Sequence, residues 1–274
     1  MPELPEVETV RRILEPQLAG RTVVAVQINK PVIAHPAEKI FRGALVGKTF
    51  ADTARRGKFL IMNFTDGSRL VVHLRMTGCL LVTPPDYPAE PHTHVTIALT
   101  GGGELRFVDA RRFGRMWLIC KDEEDIYSGA GKLGLEPADA ALTADVLKNA
   151  FGKRGLPLKT ALLDQTVVAG IGNIYSDEIC FAAGLRPDRA AKTLTDAEWE
   201  AVCEKIRAVI GDTVEVMNEV SADEYLRGKG HDYRRKPTFL VYGREGKPCV
   251  VCGATLVGKA IGGRSSCFCE RCQK

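Results

Sequence analysis

Four cysteines near the C-terminus have the type and spacing to hold a metal. Cys249 and Cys252 stand two residues apart, as do Cys269 and Cys272, and 16 residues separate the pairs. Each pair can form a tight knuckle, and four thiolates satisfy tetrahedral zinc. A closed set of four protein ligands leaves no position for substrate, so the expected metal is one structural zinc ion. Cys267 is a rival for Cys269, but the two-residue spacing favours Cys269. The opening residues, MPELPE, raise a different question. Pro2, Glu3, Pro5 and Glu6 suit a helix start, where proline loses little and acidic charge meets the helix dipole. They also gather an imino acid and two carboxylates at one end of the chain. A third candidate is Gly170-x-Gly172-Asn173. It lacks a third glycine and follows a helix-like element, which excludes a dinucleotide fold. It reads as helix, glycine-rich turn, helix, in which amides at the second helix start and the Asn173 side chain suit a phosphate. A plain helical hairpin packed through its glycines is the alternative.

The elements that must position these groups follow from hydrophobic periodicity. Residues 2–18 read as a helix, with Val7, Val10, Leu14 and Leu18 on one face. Seven short strand-like runs follow: RTVVAVQI, KFLIMNFT, RLVVHL, CLLVT, HTHVTIAL, ELRFVDA and RMWLIC. Many strands without intervening helices predict a β-sandwich or barrel. The stretch KDEEDIYSGAGKLGLEPADA reads as an interdomain linker, and the chain beyond it is helical. Thr195 and Glu198 have capping-box spacing ahead of an apolar stripe that runs to Met217. Residues 221–236 are polar and basic, and they predict a mobile loop. The expected class is therefore α+β, in three parts. Residues 1–130 form the sandwich, 131–236 the helical module with a loop near 218–236, and 237–274 the zinc finger.

Charge and composition narrow the function classes. From Leu226 onward, 11 Lys and Arg stand against 3 Asp and Glu, whereas the preceding residues hold 27 against 31. A basic end on an acidic chain points to a polyanion, most simply nucleic acid. Nine cysteines without a secretion signal argue against a disulfide framework. No apolar run is long enough for a membrane span. A cytoplasmic protein with no membrane partner is expected.

The motifs together resemble the formamidopyrimidine-DNA glycosylases, bacterial enzymes that remove oxidised purines. The resemblance runs the whole length. It rests on PELPEVET, RRGKFL at 55–60, HLRMTG at 73–78, EPHTH at 90–94, DARRFG at 109–114, LGLEP at 133–137, LLDQTVVAGIGNIYSDE at 162–178 and the four-cysteine finger. It implies an N-terminal β-sandwich with a leading helix, and a helix-two-turn-helix domain ending in the zinc finger. It also implies a monomer acting on double-stranded DNA that contains oxidised bases or abasic sites.

Roles are implied residue by residue. Once Met1 is removed, Pro2 is a secondary amine whose pKa class leaves a useful fraction unprotonated near neutrality. The resemblance makes it the nucleophile that forms a Schiff base at the sugar C1′. Glu3 matches the proton donor, and Glu6 a supporting acid. Lys58 and Arg264 match the cations of β- and δ-elimination. His92, Arg111, Arg154 and Asn173 match DNA contacts, and Lys159 is a further phosphate candidate. Met76, Arg111 and Phe113 match a wedge that fills the hole left by an extruded base. The match departs from the family at Glu219 and Val220, where a Gly-Gly pair is usual, so no loop residue is assigned. Ser265, Ser266 and Cys267 also replace a more usual run. Two rivals remain: an endonuclease VIII-like glycosylase preferring oxidised pyrimidines, and a non-catalytic zinc-ribbon protein that binds damaged DNA.

Overall fold

The computed structural model describes residues 1–230 and 239–274, so part of the loop expected at 221–236 lies outside the described residues. Two compact units form, each from two stretches of chain. Residues 1–131 join 217–230 in the first, and residues 132–216 join 239–274 in the second.

The first unit opens with α1 (Leu4–Leu18), whose apolar face buries Val7, Val10, Leu14 and Leu18 as the periodicity requires. Strands β1 (Val23–Ile28), β2 (Ala34–His35), β3 (Phe50–Arg56), β4 (Phe59–Phe64), β5 (Arg69–His73), β6 (Cys79–Thr83), β7 (Thr93–Leu99), β8 (Glu104–Val108) and β9 (Arg115–Ile119) make two sheets. One has the order β1-β7-β8-β6 and the other β2-β9-β5-β4-β3. Alternation explains the pleat. In β7, Val95, Ile97 and Leu99 face the core, which also takes side chains from both sheets and from α1. All seven expected strands are present. Helix α2 (Glu38–Leu45) and strands β2 and β3 were not expected.

Residues 217–230 complete this core. Met217 and Tyr225 are buried in it, and the Tyr225 hydroxyl donates to the Leu80 carbonyl of β6 at 2.9 Å. Here the expected loop is in part a helix, α7 (Ala222–Arg227). Ser221 and Glu224 form a capping box at its start, which compensates for its shortness.

The second unit holds α3 (Ala144–Phe151), α4 (Leu158–Leu162), α5 (Asn173–Ala182) and α6 (Asp196–Met217). Thr195 and Glu198 cap α6 reciprocally, with Thr195 N–H to Glu198 at 2.8 Å and Glu198 N–H to Thr195 at 3.3 Å. The unit ends in the hairpin of β10 (Val257–Ile261) and β11 (Arg264–Phe268). Its small core combines Phe181, Val241 and Leu256 with three cysteines, Cys249, Cys267 and Cys269.

Candidate active site and nucleic-acid contacts

In the first unit, strand register gathers the expected residues at one end of the sandwich. Phe59, His73 and Arg115 lie in a row across β4, β5 and β9. The two-residue turn Gly57–Lys58 therefore sits beside the β5–β6 loop, which carries Met76, and the β8–β9 loop, which carries Arg111 and Phe113. Cys79, Val108 and Thr93 form the matching row in the other sheet and bring His92 to the same end.

Helix α1 is aimed there too. Glu15 accepts from Thr53 at 2.8 Å, and Glu8 accepts from Arg55 at 3.1 Å. Passing toward the helix N-terminus thus means passing along β3 toward the Lys58 turn. Pro2, Glu3 and Glu6 are buried at that helix start, and the Glu6 carboxylate accepts from the Glu3 N–H at 2.9 Å. The Glu8 carboxylate fastens helix to hairpin. Burial opposes its ionisation, but the guanidiniums of Arg11, Arg55 and Arg12 outweigh burial and hold it below the usual carboxylate range.

Met76 and Phe113 project from this end with 39% and 49% of their surface exposed. Apolar side chains so placed are available to a stacked base, and the Arg111 guanidinium lies 4.7 Å from the Phe113 ring centre. His92 is exposed and holds a left-handed backbone, with φ 66°.

Two residues at this end were not singled out in the sequence. His73 is buried edge-on to Phe59, and its Nδ1 accepts the Arg75 N–H at 3.0 Å, which leaves the proton on Nε2. Burial, with the nearby charges of Arg75 and Lys58, lowers its pKa to about 3. It is a neutral imidazole beside the Lys58 cation. Asp109 is the other, a fully buried carboxylate at the head of DARRFG. Both lie within quoted motifs, but nothing local marks either as buried.

In the second unit, Asn173 is the first residue of α5, and its Oδ1 is buried with no hydrogen-bond partner among the described residues. Arg264 is exposed at the start of β11, directly after the Gly262–Gly263 turn. Both glycines take left-handed backbone, at φ 56° and 73°. A Cβ on Gly262 would stand 2.6 Å from Thr160 Oγ1, so glycine lets the hairpin tip press on α4. Arg154 is half exposed, 3.6 Å from Asp164.

Lys159 corrects an expectation. It is fully buried, with Nζ 2.6 Å from Asp177 and 3.0 Å from the Ser265 carbonyl. Asp177 also accepts from Ser266 Oγ at 2.5 Å and the Cys267 N–H at 3.1 Å. The next residue, Glu178, accepts the N–H groups of Leu240, Val241 and Tyr242 at 2.8, 3.0 and 2.8 Å. Two consecutive acids on α5 thus tie down both chain segments that build the finger.

The sulfurs of Cys249, Cys252, Cys269 and Cys272 lie within 4.8 Å of one another. That cluster fits one zinc ion bound by four thiolates, with Cys267 outside it. The site is closed, so the metal's contribution is to hold the knuckles and, through them, the Arg264 hairpin.

These features first define a class: a β-sandwich joined to a helical nucleic-acid-binding module that ends in a zinc ribbon. Family models agree along the chain. Residues 1–116 match the formamidopyrimidine-DNA glycosylase N-terminal domain, 133–224 its H2TH domain, and 246–274 the zinc finger found in FPG and IleRS. The formamidopyrimidine-DNA glycosylase of Pelotomaculum thermopropionicum is 41% identical over 100% of this chain and 99% of its own. That of Geobacillus kaustophilus is 41% identical over 100% of both. The Lactococcus lactis FPG structure with Fapy-dG-containing DNA superposes with a TM-score of 0.90 at 32% identity, covering 99% of this chain and 100% of that one. The same Lactococcus lactis protein has been solved with DNA containing an oxidised pyrimidine, with a TM-score of 0.89 at 31% identity over the full length of both chains. The chain belongs to the formamidopyrimidine-DNA glycosylase family.

Proposed function

We propose that this chain is a bifunctional DNA glycosylase and abasic-site lyase of base excision repair, acting as a cytoplasmic monomer on oxidised purines in duplex DNA. The observation that carries this reading is the run of α1 along β3, which directs Pro2 and Glu3 toward the sandwich end that holds Lys58 and the wedge loops. With Met1 removed, the Pro2 amine attacks C1′ of the damaged nucleotide. The C1′–N bond breaks, the base leaves with its bonding electrons, and the N–H proton given up by Pro2 neutralises the base. Glu3 supplies a proton as the sugar ring opens, giving an iminium between Pro2 and C1′. The iminium acidifies the C2′ proton. Loss of that proton expels the 3′ phosphate, and a second elimination expels the 5′ phosphate. Lys58 and Arg264 stabilise the departing anions, and Asn173 binds backbone phosphate.

Borohydride tests this directly. A duplex with 8-oxoguanine opposite cytosine should give a covalent adduct with Met1-processed protein, and Pro2→Gly should abolish it. Absence of an adduct on both lesion and abasic duplexes would remove the lyase reading and leave a damage-binding protein. A second reading is a preference for oxidised pyrimidines, favoured by the Lactococcus lactis complex with such DNA. Single-turnover excision rates on the two lesions, side by side, decide between them.

A further inference from the structure

Asp109 stands where three DNA-facing segments meet. Its Oδ1 accepts from the Thr77 hydroxyl and from the Arg111 N–H at 3.1 Å. Its Oδ2 accepts the Gly114 N–H at 2.8 Å. Thr77 adjoins Met76, and the Arg111 N–H also points at the Thr77 hydroxyl, at 3.2 Å. The two wedge loops are therefore joined to each other through one carboxylate. The Asp109 backbone continues the junction. Its N–H donates to the His92 carbonyl at 3.1 Å, and its carbonyl contacts His94 Nε2 at 2.8 Å.

The topology explains why such a junction is needed. Both wedge loops cross between the two sheets, β5 to β6 and β8 to β9, so neither is fixed by a hairpin ladder of its own. Gly114 shows how tight the junction is: a Cβ there would lie 2.4 Å from the Phe107 ring and 3.2 Å from Asp109 Oδ2. A fully buried carboxylate is tolerated because its oxygens receive these donors.

We infer that Asp109 is the positioning residue of the wedge, holding Met76, Arg111 and Phe113 in their inserting arrangement before DNA arrives. The inference rests on the wedge reading of those three side chains. Its physical basis is preorganisation. Loops already fixed do not have to be ordered when the base is extruded, so less of the binding free energy is lost at that step. Asparagine cannot reproduce the junction. One amide oxygen can accept from Thr77 and Arg111 or from Gly114, and the NH2 then faces a donor on the other side.

The test uses the full-length, Met1-processed protein and a duplex carrying a tetrahydrofuran abasic analogue opposite cytosine. A neighbouring 2-aminopurine brightens when the step is unstacked. Asp109→Asn should lose most of that rise and slow adduct formation on lesion duplex by about tenfold. Adduct formation on single-stranded abasic DNA, which has no stack to open, should stay within roughly twofold. A merely structural role would lower both reactions together, and that result overturns the inference. A full fluorescence rise in Asp109→Asn, with the rise lost in Met76→Ala/Phe113→Ala, overturns the positioning role and leaves the wedge intact. A full rise in both variants overturns the wedge and the positioning role with it. If Asp109→Asn does not fold, Thr77→Val removes one of the three side-chain bonds and should show the same pattern in weaker form.

Discussion

At the scale of single residues, chemistry here depends on which charges are buried and what answers them. His73 is an example with a measurable consequence. Its pKa falls from the ordinary 6.5 to about 3 in the folded chain, because burial and the charges of Arg75 and Lys58 disfavour the imidazolium. Between those values the unfolded chain binds a proton that the folded chain does not. Stability from this residue is therefore complete above about pH 6.5 and declines as pH falls toward 3, by up to about 1.4 kcal/mol per pH unit. Thermal unfolding between pH 4 and 7 should show a shallower acid slope in His73→Gln than in the parent. An unchanged slope would mean that the imidazole is protonated in the folded state. The same logic makes Lys159 a structural cation. Removing it in Lys159→Ala leaves the buried Asp177 carboxylate without the Lys159 charge, and the cost should be about 3–5 kcal/mol in denaturant unfolding. A phosphate-binding lysine on the surface would instead cost little stability and much affinity.

At the scale of elements, the zinc finger and α5 behave as one device. The finger's own core is small, so the metal and the Asp177 and Glu178 anchors share the work of holding it. Chelation of zinc should release the hairpin that presents Arg264 and weaken duplex binding, read by fluorescence anisotropy. The circular dichroism of the β-sandwich should change little, since its core uses none of the four metal ligands. Elements also show what was legible in the sequence. The seven expected strands alternate or are short apolar runs, and the cysteine pairs carry their meaning in their spacing. Such signals are local. Helix α2 places Ile40, Phe41, Ala44 and Leu45 at helical spacing, but its eight residues make about two turns, too short a window for the period to stand out. Helix α7 has six residues, and its one sequence mark was the Ser221–Glu224 spacing. The role of Lys159 was hidden for a different reason. Its partners Asp177 and Ser265 lie 18 and 106 positions away, and only folding brings them together. Asp109 likewise takes its meaning from Thr77, 32 positions earlier.

At the scale of the whole molecule, charge is divided along the chain: the stretch from Leu226 is strongly basic and the rest slightly acidic. Duplex affinity should therefore fall steeply with salt, and Arg264→Ala should reduce the slope of log K against log salt by about 1. An unchanged slope would place Arg264 away from phosphate. The order of the chain has a further consequence. The sandwich core closes over Met217 and Tyr225, which belong to residues 217–230 and follow 85 residues of the other unit, 132–216. A ribosome makes those two side chains long after β9 has emerged, so the nascent sandwich waits with a gap beside Leu80. At about 5–20 residues per second that wait lasts several seconds. During it, the half-finished core is exposed to chaperones and to other nascent chains, and a fragment that stops at residue 131 would remain in that condition permanently.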